Sequence, residues 1–403
     1  MAKDYINAEL GVETVEDALQ GASDIIAEII SNDADIRKRM RIVCSAHGVI
    51  EIKGAKDDLD VYGMYADYSE PISKIPNHRV LAINRGEKEG FLKVSVNLDE
   101  EKAEFIVCRD YVKQGPCADF VKAAAKDAYS RLIFPSIERE MRSALTEKAS
   151  EDAIKVFSQN LRQLLMQPPV KDSVTIGLDP GYRTGCKVAV VDGTGKVLDV
   201  GVIYPVPPHE KKEEAKKIIK DLVKKYNVRT FAIGNGTASH ETEVFAAEVI
   251  NEINDGLSYM VVSEAGASVY SASKLAAKEF PDYDVSLRSA VSIARRLQDP
   301  LSELVKIDPK AIGVGQYQHD MPQNRLSAAL DGVVETCVNE VGVDLNTASV
   351  SLLSAVAGVN GTVAQNIVNY REENGRFKNR NELKKVAKLG PKAFLQCAGF
   401  LRI

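Results

Sequence analysis

The sequence predicts a mixed, mainly α multidomain protein with one embedded α/β domain and a closing pair of short helical hairpins. Three observations carry that prediction. The chain has 403 residues, more than one hydrophobic core usually organises. Its apolar periodicity changes from helical to strand-like at Val174 and back to helical after Pro300. The last fifty residues repeat an apolar helix, a Gly- or Asn-bearing turn and a second helix.

Composition narrows the function classes. A hydrophobic content of 45% is that of a soluble globular chain. No apolar run approaches the ~18 residues of a membrane span, so no membrane partner is expected. The first residues, MAKDYINAEL, are charged and unlike a secretory leader. Six cysteines are scattered without a CxxC pair, which argues for reduced thiols, no structural zinc and a cytoplasmic location. The net charge of -5 hides a local reversal: residues Gly361 to Ile403 hold nine Lys/Arg against three Asp/Glu.

Residues 1–170 read as a helical scaffold with a small strand-rich insertion. Ile25, Ile26, Ile29 and Ile30 recur at helical spacing. Gly48 to Ile52 and Phe91 to Val96 read as strands, and Ala118 to Leu132 and Ile137 to Leu165 as helices. Gln167-Pro168-Pro169 ends the last of these, because proline lacks an amide donor and restrains its predecessor.

Residues 172–300 form the α/β domain. Strands are expected at Val174 to Leu178, Lys187 to Val191 and Val197 to Tyr204, with Asp192-Gly193 as the hairpin signal. Then come a Lys- and Glu-rich helix at Glu210 to Tyr226, a strand at Thr230 to Gly234 and a helix at His240 to Ile253. A strand at Ser258 to Val262 and a helix at Ser286 to Leu297 complete the set. The order βββαβαβα is that of an RNase H-like domain. Residues 301–345 read as a helical connector, and residues 346–403 as a tandem helix-hairpin-helix.

The tail carries the clearest binding chemistry. Gly358-Val359-Asn360 and Lys388-Leu389-Gly390 are the two hairpins. Each needs a residue that tolerates a left-handed backbone, so that consecutive amides at Gly358 to Gly361 and Leu389 to Lys392 face outward. Those amides open a second helix, whose dipole also favours an anion, so phosphate is the expected occupant. Such contacts position a strand without reading its sequence. Arg371, Arg376, Lys378, Arg380, Lys384, Lys385, Lys388 and Lys392 supply the electrostatic attraction. The bland alternative is a structural cap with solvated charges.

Nucleases on an RNase H-like fold hold divalent ions with two or three carboxylates from neighbouring elements. Asp179 ends the first strand, where the first ligand belongs. At the end of the fourth strand stands neutral Asn235, and the final helix offers Arg288, Ser289 and Arg295 in place of a carboxylate. Glu264, after the fifth strand, is a candidate replacement. Asp179, Asn235 and Glu264 therefore read as a degenerate site, with no catalytic residue and no metal expected. Gly234 to Gly236 lacks the Gly-Lys-Ser/Thr of a phosphate loop, so no cofactor is expected either. His319 beside Asp320 has no nucleophile near it in sequence and reads as a hydrogen-bonded structural histidine.

Together the strings IPNHRVLAINRGEKEG (Ile75 to Gly90), GLDPGYRTGCKVAVVD (Gly177 to Asp192), ARRLQDPL, IGVGQYQHD and the double hairpin ending GFLRI resemble the Tex family of bacterial transcription accessory proteins. The resemblance covers essentially the whole chain. It implies that the α/β domain is of the YqgF type, similar to Holliday-junction (RuvC-like) resolvases, and that the tail is the family's helix-hairpin-helix pair. It further implies nucleic-acid binding, RNA or DNA, a role in transcription and no nuclease activity. Full-length members add an N-terminal helical region and a C-terminal OB-fold RNA-binding domain. Neither is read in this sequence, so weaker RNA binding is expected than in such relatives. Two rival readings stand beside this one: a divalent-metal nuclease or resolvase using Asp179 and Glu264, and a scaffold that docks on RNA polymerase or the ribosome.

Overall fold

A computed structural model describes residues 2–254 and 256–403. Two compact units are present, Met1–Ala153 and Ile154–Ile403.

The first unit is mainly helical. Helix α1 (Val15–Ser31) starts on a capping box in which Thr14 and Asp17 satisfy each other's backbone amides. Asp33 caps α2 (Ala34–His47) and Asp99 caps α4 (Glu100–Cys108) through side-chain oxygens that accept the first free amides. Three antiparallel strands, β1 (Val49–Gly54), β2 (Asp67–Pro71) and β3 (Leu92–Asn97), form a sheet in the order β2-β1-β3. Helix α3 (Asn77–Lys88) lies between β2 and β3 in the chain. The expected strands at Gly48 and Phe91 are thus present, and β2 is an addition without a strand signal in the sequence, because its alternation half-buries only Tyr68 and Glu70. Helix α5 (Ala118–Asp127) passes through a π-helical stretch, Ala128–Ile133, into α6 (Phe134–Leu165). The boundary between the two units falls inside α6.

The second unit holds the α/β domain. Its strands are β4 (Thr175–Asp179), β5 (Cys186–Val191), β6 (Val197–Ile203), β7 (Thr230–Gly234) and β8 (Ser258–Val262), in the order β6-β5-β4-β7-β8. The first three are antiparallel, and β4, β7 and β8 run parallel. Helices α7 (Lys212–Tyr226) and α8 (Ser239–Ile253) cover one face through Ile219, Val223, Phe245 and Val249 on Ile176, Val188, Phe231 and Ile233. Short α9 (Ala267–Ser271) and α10 (Lys274–Glu279) lead to α11 (Val285–Gln298). That helix covers the opposite face, with Ala290, Val291, Ile293 and Leu297 against Ala189, Ala232 and Val262. β5 is buried along its whole length, as a central strand between two helical layers must be. The expected order of elements is present; α9 and α10 are additions whose short runs carry too little periodicity to read.

Two family-like strings turn out to be internal locks. In ARRLQDPL, Gln298 donates to the carbonyls of Ser173 and Asp192, both at 2.8 Å, and Asp299 caps α12 (Pro300–Leu304). In IGVGQYQHD, the buried Gln318 accepts from the Val314 amide at 2.9 Å and donates to the Lys310 carbonyl at 2.8 Å. His319 is exposed there, so the expected hydrogen-bonded structural role does not hold for it: the neighbouring glutamine does the locking.

Helix α13 (Gln323–Val341) leads into the tail, where α14 (Val350–Ser354) and α15 (Gly361–Asn374) make the first hairpin. A 3₁₀ turn, Arg380–Lys385, and α16 (Pro391–Cys397) make the second. Strands β9 (Val343–Asp344) and β10 (Leu401–Arg402) pair in parallel and tie the last residues to the start of the module. A pair two residues long gives no sequence signal.

Candidate nucleic-acid interface and degenerate carboxylate site

The two hairpins are the same structure written twice, thirty residues apart. Leu353 and Val356 are buried in the first, and Leu383 and Val386 in the second. The Val356 amide donates to the Leu353 carbonyl at 3.1 Å, and the Val386 amide to that of Leu383 at 3.0 Å. Gly358 and Lys388 both adopt a left-handed backbone, φ 79° and 64°. Val359 and Leu389 turn inward and are buried. Asn360 and Gly390 then take the extended N-cap conformation of α15 and α16. A rough two-fold relation joins the halves. Asn366 of α15 donates to the Ala387 carbonyl at 2.8 Å, while Gln396 of α16, its counterpart, lies where a Cβ on Gly358 would come within 2.8 Å.

This register corrects one expectation. The residues equivalent to Gly358–Gly361 are Lys388–Pro391, and Pro391 has no amide to offer. In the first hairpin Asn360 caps Val363 through its side chain at 3.0 Å, and the Gly361 and Thr362 amides are helix-start donors that no intrahelical carbonyl reaches. In the second, the Lys392 amide is the counterpart of Thr362, and the Ala393 amide, counterpart of Val363, has no side-chain cap because glycine stands at the N-cap.

The basic side chains divide into two sets. Arg371 donates to the Leu345 and Ala348 carbonyls at 3.0 and 2.8 Å, and Arg380 to the Leu401 carbonyl at 2.7 Å. These two guanidinium groups hold the module's own main chain. Arg376, Lys378, Lys384, Lys385, Lys388 and Lys392 are exposed. The last four cluster around the second hairpin, where Lys384 also lies over the Phe394 ring, 4.8 Å from its centre.

The second candidate region lies at the ends of β4, β7 and β8. Asp179 closes β4, Asn235 follows β7 and Glu264 follows β8. The Asn235 side-chain oxygen accepts the Glu264 amide at 2.9 Å, so the loops after β7 and β8 are pinned together. The Glu264 carboxylate lies over Gly236, where any Cβ would come within 1.8 Å of it. Burial pushes Asp179 up to about 6; a Ser289 hydrogen bond pulls it down, nearby Glu264 raises it and Lys187 lowers it. Two contributors had no readable signal. Lys187 is buried with its ammonium donating to the Thr184 and Gly185 carbonyls at 2.9 and 3.1 Å. Arg296, on α11, is also buried and donates to the Ser263 and Ala265 carbonyls at 2.8 and 2.7 Å, clasping the residue pair that flanks Glu264.

As a donor set for two divalent ions this falls short. There are two carboxylates, Asp179 and Glu264, close enough for the second to raise the first; the amide oxygen of Asn235 is already engaged, and Ser289 stands on α11 where a third carboxylate belongs. Among the described residues no group of three His, Cys, Asp or Glu comes together as a metal site. Arg288 and Arg295 do not compensate: Arg288 holds the Phe280 and Ser271 carbonyls, and Arg295 the Gly195 carbonyl and Glu279.

A helical unit, a three-layer RNase H-like domain with a thinned carboxylate set and a basic double hairpin define a class of multidomain proteins. Family comparison resolves it. Residues 1–157 match the Tex central region, residues 173–298 the Tex protein YqgF-like domain, and residues 338–402 a helix-hairpin-helix motif. The chain is 52% identical to the uncharacterized protein YdcI of Bacillus subtilis, covering all of this chain and 57% of that one. It is 46% identical to the transcriptional accessory protein Tex of Neisseria gonorrhoeae, covering all of this chain and 54% of that one. It is 44% identical to the human S1 RNA-binding domain-containing protein 1, over 99% of this chain and 42% of that protein. The chain belongs to the Tex family, and it spans about half the length of these relatives. No helix among the described residues is long and apolar enough to cross a membrane.

Proposed function

We propose that the chain is a non-catalytic, largely sequence-independent nucleic-acid-binding element of a transcription accessory factor. The observation that carries this reading is the repeated hairpin with exposed helix-start residues, Gly361 and Thr362 in one copy and Lys392 in the other, and four lysines, Lys384, Lys385, Lys388 and Lys392, around its second copy. Amides at a helix start take a phosphate oxygen without touching a base, and clustered lysines add the salt-sensitive attraction. The name of the gonococcal relative supports the transcriptional setting, and the incomplete carboxylate set supports the absence of catalysis.

The test is a salt titration of binding to single-stranded RNA, single-stranded DNA and duplex DNA. Lys384→Glu with Lys385→Glu weakens binding and flattens the log–log salt slope by about 1.4 on single strands, two contacts at about 0.7 each. An affinity at low salt equal to that of the unaltered chain would reject the reading. The catalytic half is tested separately: incubated with magnesium or manganese, neither the chain nor Asp179→Ala cleaves branched DNA or RNA, and cleavage abolished by the substitution would make the chain a nuclease.

A further inference from the structure

Beside the first hairpin, bordered by its residues Ala355 to Asn360, lies a groove of about 530 Å³. Its floor is apolar, formed by Val305, Ile307, Val334 and Val356. The charged side chains on its lining are two carboxylates, Asp331 and Glu335 of α13, and no lysine or arginine lines it. Both carboxylates are exposed, and neither has an ion-pair or hydrogen-bond partner among the described residues. The two hairpins share a backbone but face opposite electrostatic surroundings, lysines at the second and unpaired carboxylates at the first. A phosphate strand running along this groove would meet like charge at close range, whereas a cationic partner would meet its complement.

We infer that this groove is a docking site for a protein partner, a basic amphipathic helix that seats apolar side chains on the floor and pairs two Lys or Arg with Asp331 and Glu335. The spacing favours a helix. Asp331 and Glu335 are one turn apart on α13, about 6 Å along its axis, and a partner helix presents cations at i and i+4 with the same repeat. Apolar residues at neighbouring positions of that helix then face the groove, the usual way a helix is held in an apolar channel. The inference does not require nucleic acid to bind the second hairpin.

The probe is a fluorescein-labelled, alanine-rich peptide with lysines at i and i+4 and leucines at i+3 and i+7, titrated into the full chain by anisotropy. The expected result is saturable binding, weakened at least tenfold by Asp331→Lys with Glu335→Lys and by leucine-to-serine exchange in the peptide, and unchanged by Lys384→Glu with Lys385→Glu. The milder pair Asp331→Asn with Glu335→Gln weakens binding in the same direction and guards against a folding defect in the charge reversal. Hydrogen exchange with bound peptide is expected to slow at Ala355 to Val359. Binding indifferent to the α13 substitutions, or binding indifferent to the leucines, would overturn the inference.

Discussion

Gly358 and Lys388 occupy the same place in two copies of one hairpin, both in the left-handed region, yet only the first has the side chain of Gln396 packed where its Cβ would be. Glycine is therefore required at one copy by space as well as by backbone, while the second copy tolerates lysine at the cost of a strained φ. The difference places a cation at the tip of the second hairpin and a close helix contact at the first.

Gly358→Val is expected to destabilise the second unit by about 2 kcal/mol, from the left-handed φ of a β-branched residue together with the contact to Gln396. Urea denaturation followed by circular dichroism measures it. Stability unchanged within error would show that the hairpin relaxes around a side chain.

Lys388→Gly separates backbone from charge. Stability is expected to stay within about 1 kcal/mol, because relief of strain is offset by the freer unfolded chain. The salt slope of nucleic-acid binding is expected to fall by about 0.7. A slope equal to that of the unaltered chain would place Lys388 outside the contact.

Asp179 gives a pH test with a definite sign. Its folded value of about 6 lies above its ordinary 3.8, so the folded state binds the proton more tightly and loses stability as pH rises from about 4 through 6. Asp179→Asn removes that loss. It is expected to stabilise the chain on the order of 2 kcal/mol at about pH 8, allowing for partial exposure, and little at about pH 4. A gain of equal size at both pH values would point to a cause other than the carboxylate charge.

Arg296 is deeply buried, and burial lowers its guanidinium to about 10 although Glu303 and Glu264 oppose the shift. Arg296→Leu leaves the Ser263 and Ala265 carbonyls without their donor and Glu303 without a counter-charge, apart from Lys306 at 2.9 Å. A loss of about 3 kcal/mol is expected, with faster hydrogen exchange at the loop after β8. A stable variant with an unmoved loop would show that the clasp is dispensable.

Much of the fold was legible because its signals are local. β4 to β8 and α7, α8 and α11 fall within a few residues of their expected places, since buried strands and amphipathic helices announce themselves by period. The candidate residues were legible as types: Asp179, Asn235 and Glu264 do meet at neighbouring strand ends. Their supports were not, because Lys187 and Arg296 look like ordinary surface cations until the chain folds over them. Arg371 and Arg380 are the opposite case, with main-chain partners that the sequence does not reveal. They count as basic in the sequence, yet the structure commits their guanidinium groups to carbonyls.

Sequence alone determined the order of elements, the thirty-residue repeat of the tail and the absence of a third carboxylate on α11, because each depends on residue identity and spacing along the chain. Tertiary structure decided which cations remain exposed, that Pro391 removes an amide from the second hairpin's first helical position, and that Asp331 and Glu335 stand beside the first. Those outcomes depend on which segments meet across long stretches of chain, and neither periodicity nor composition encodes such distances.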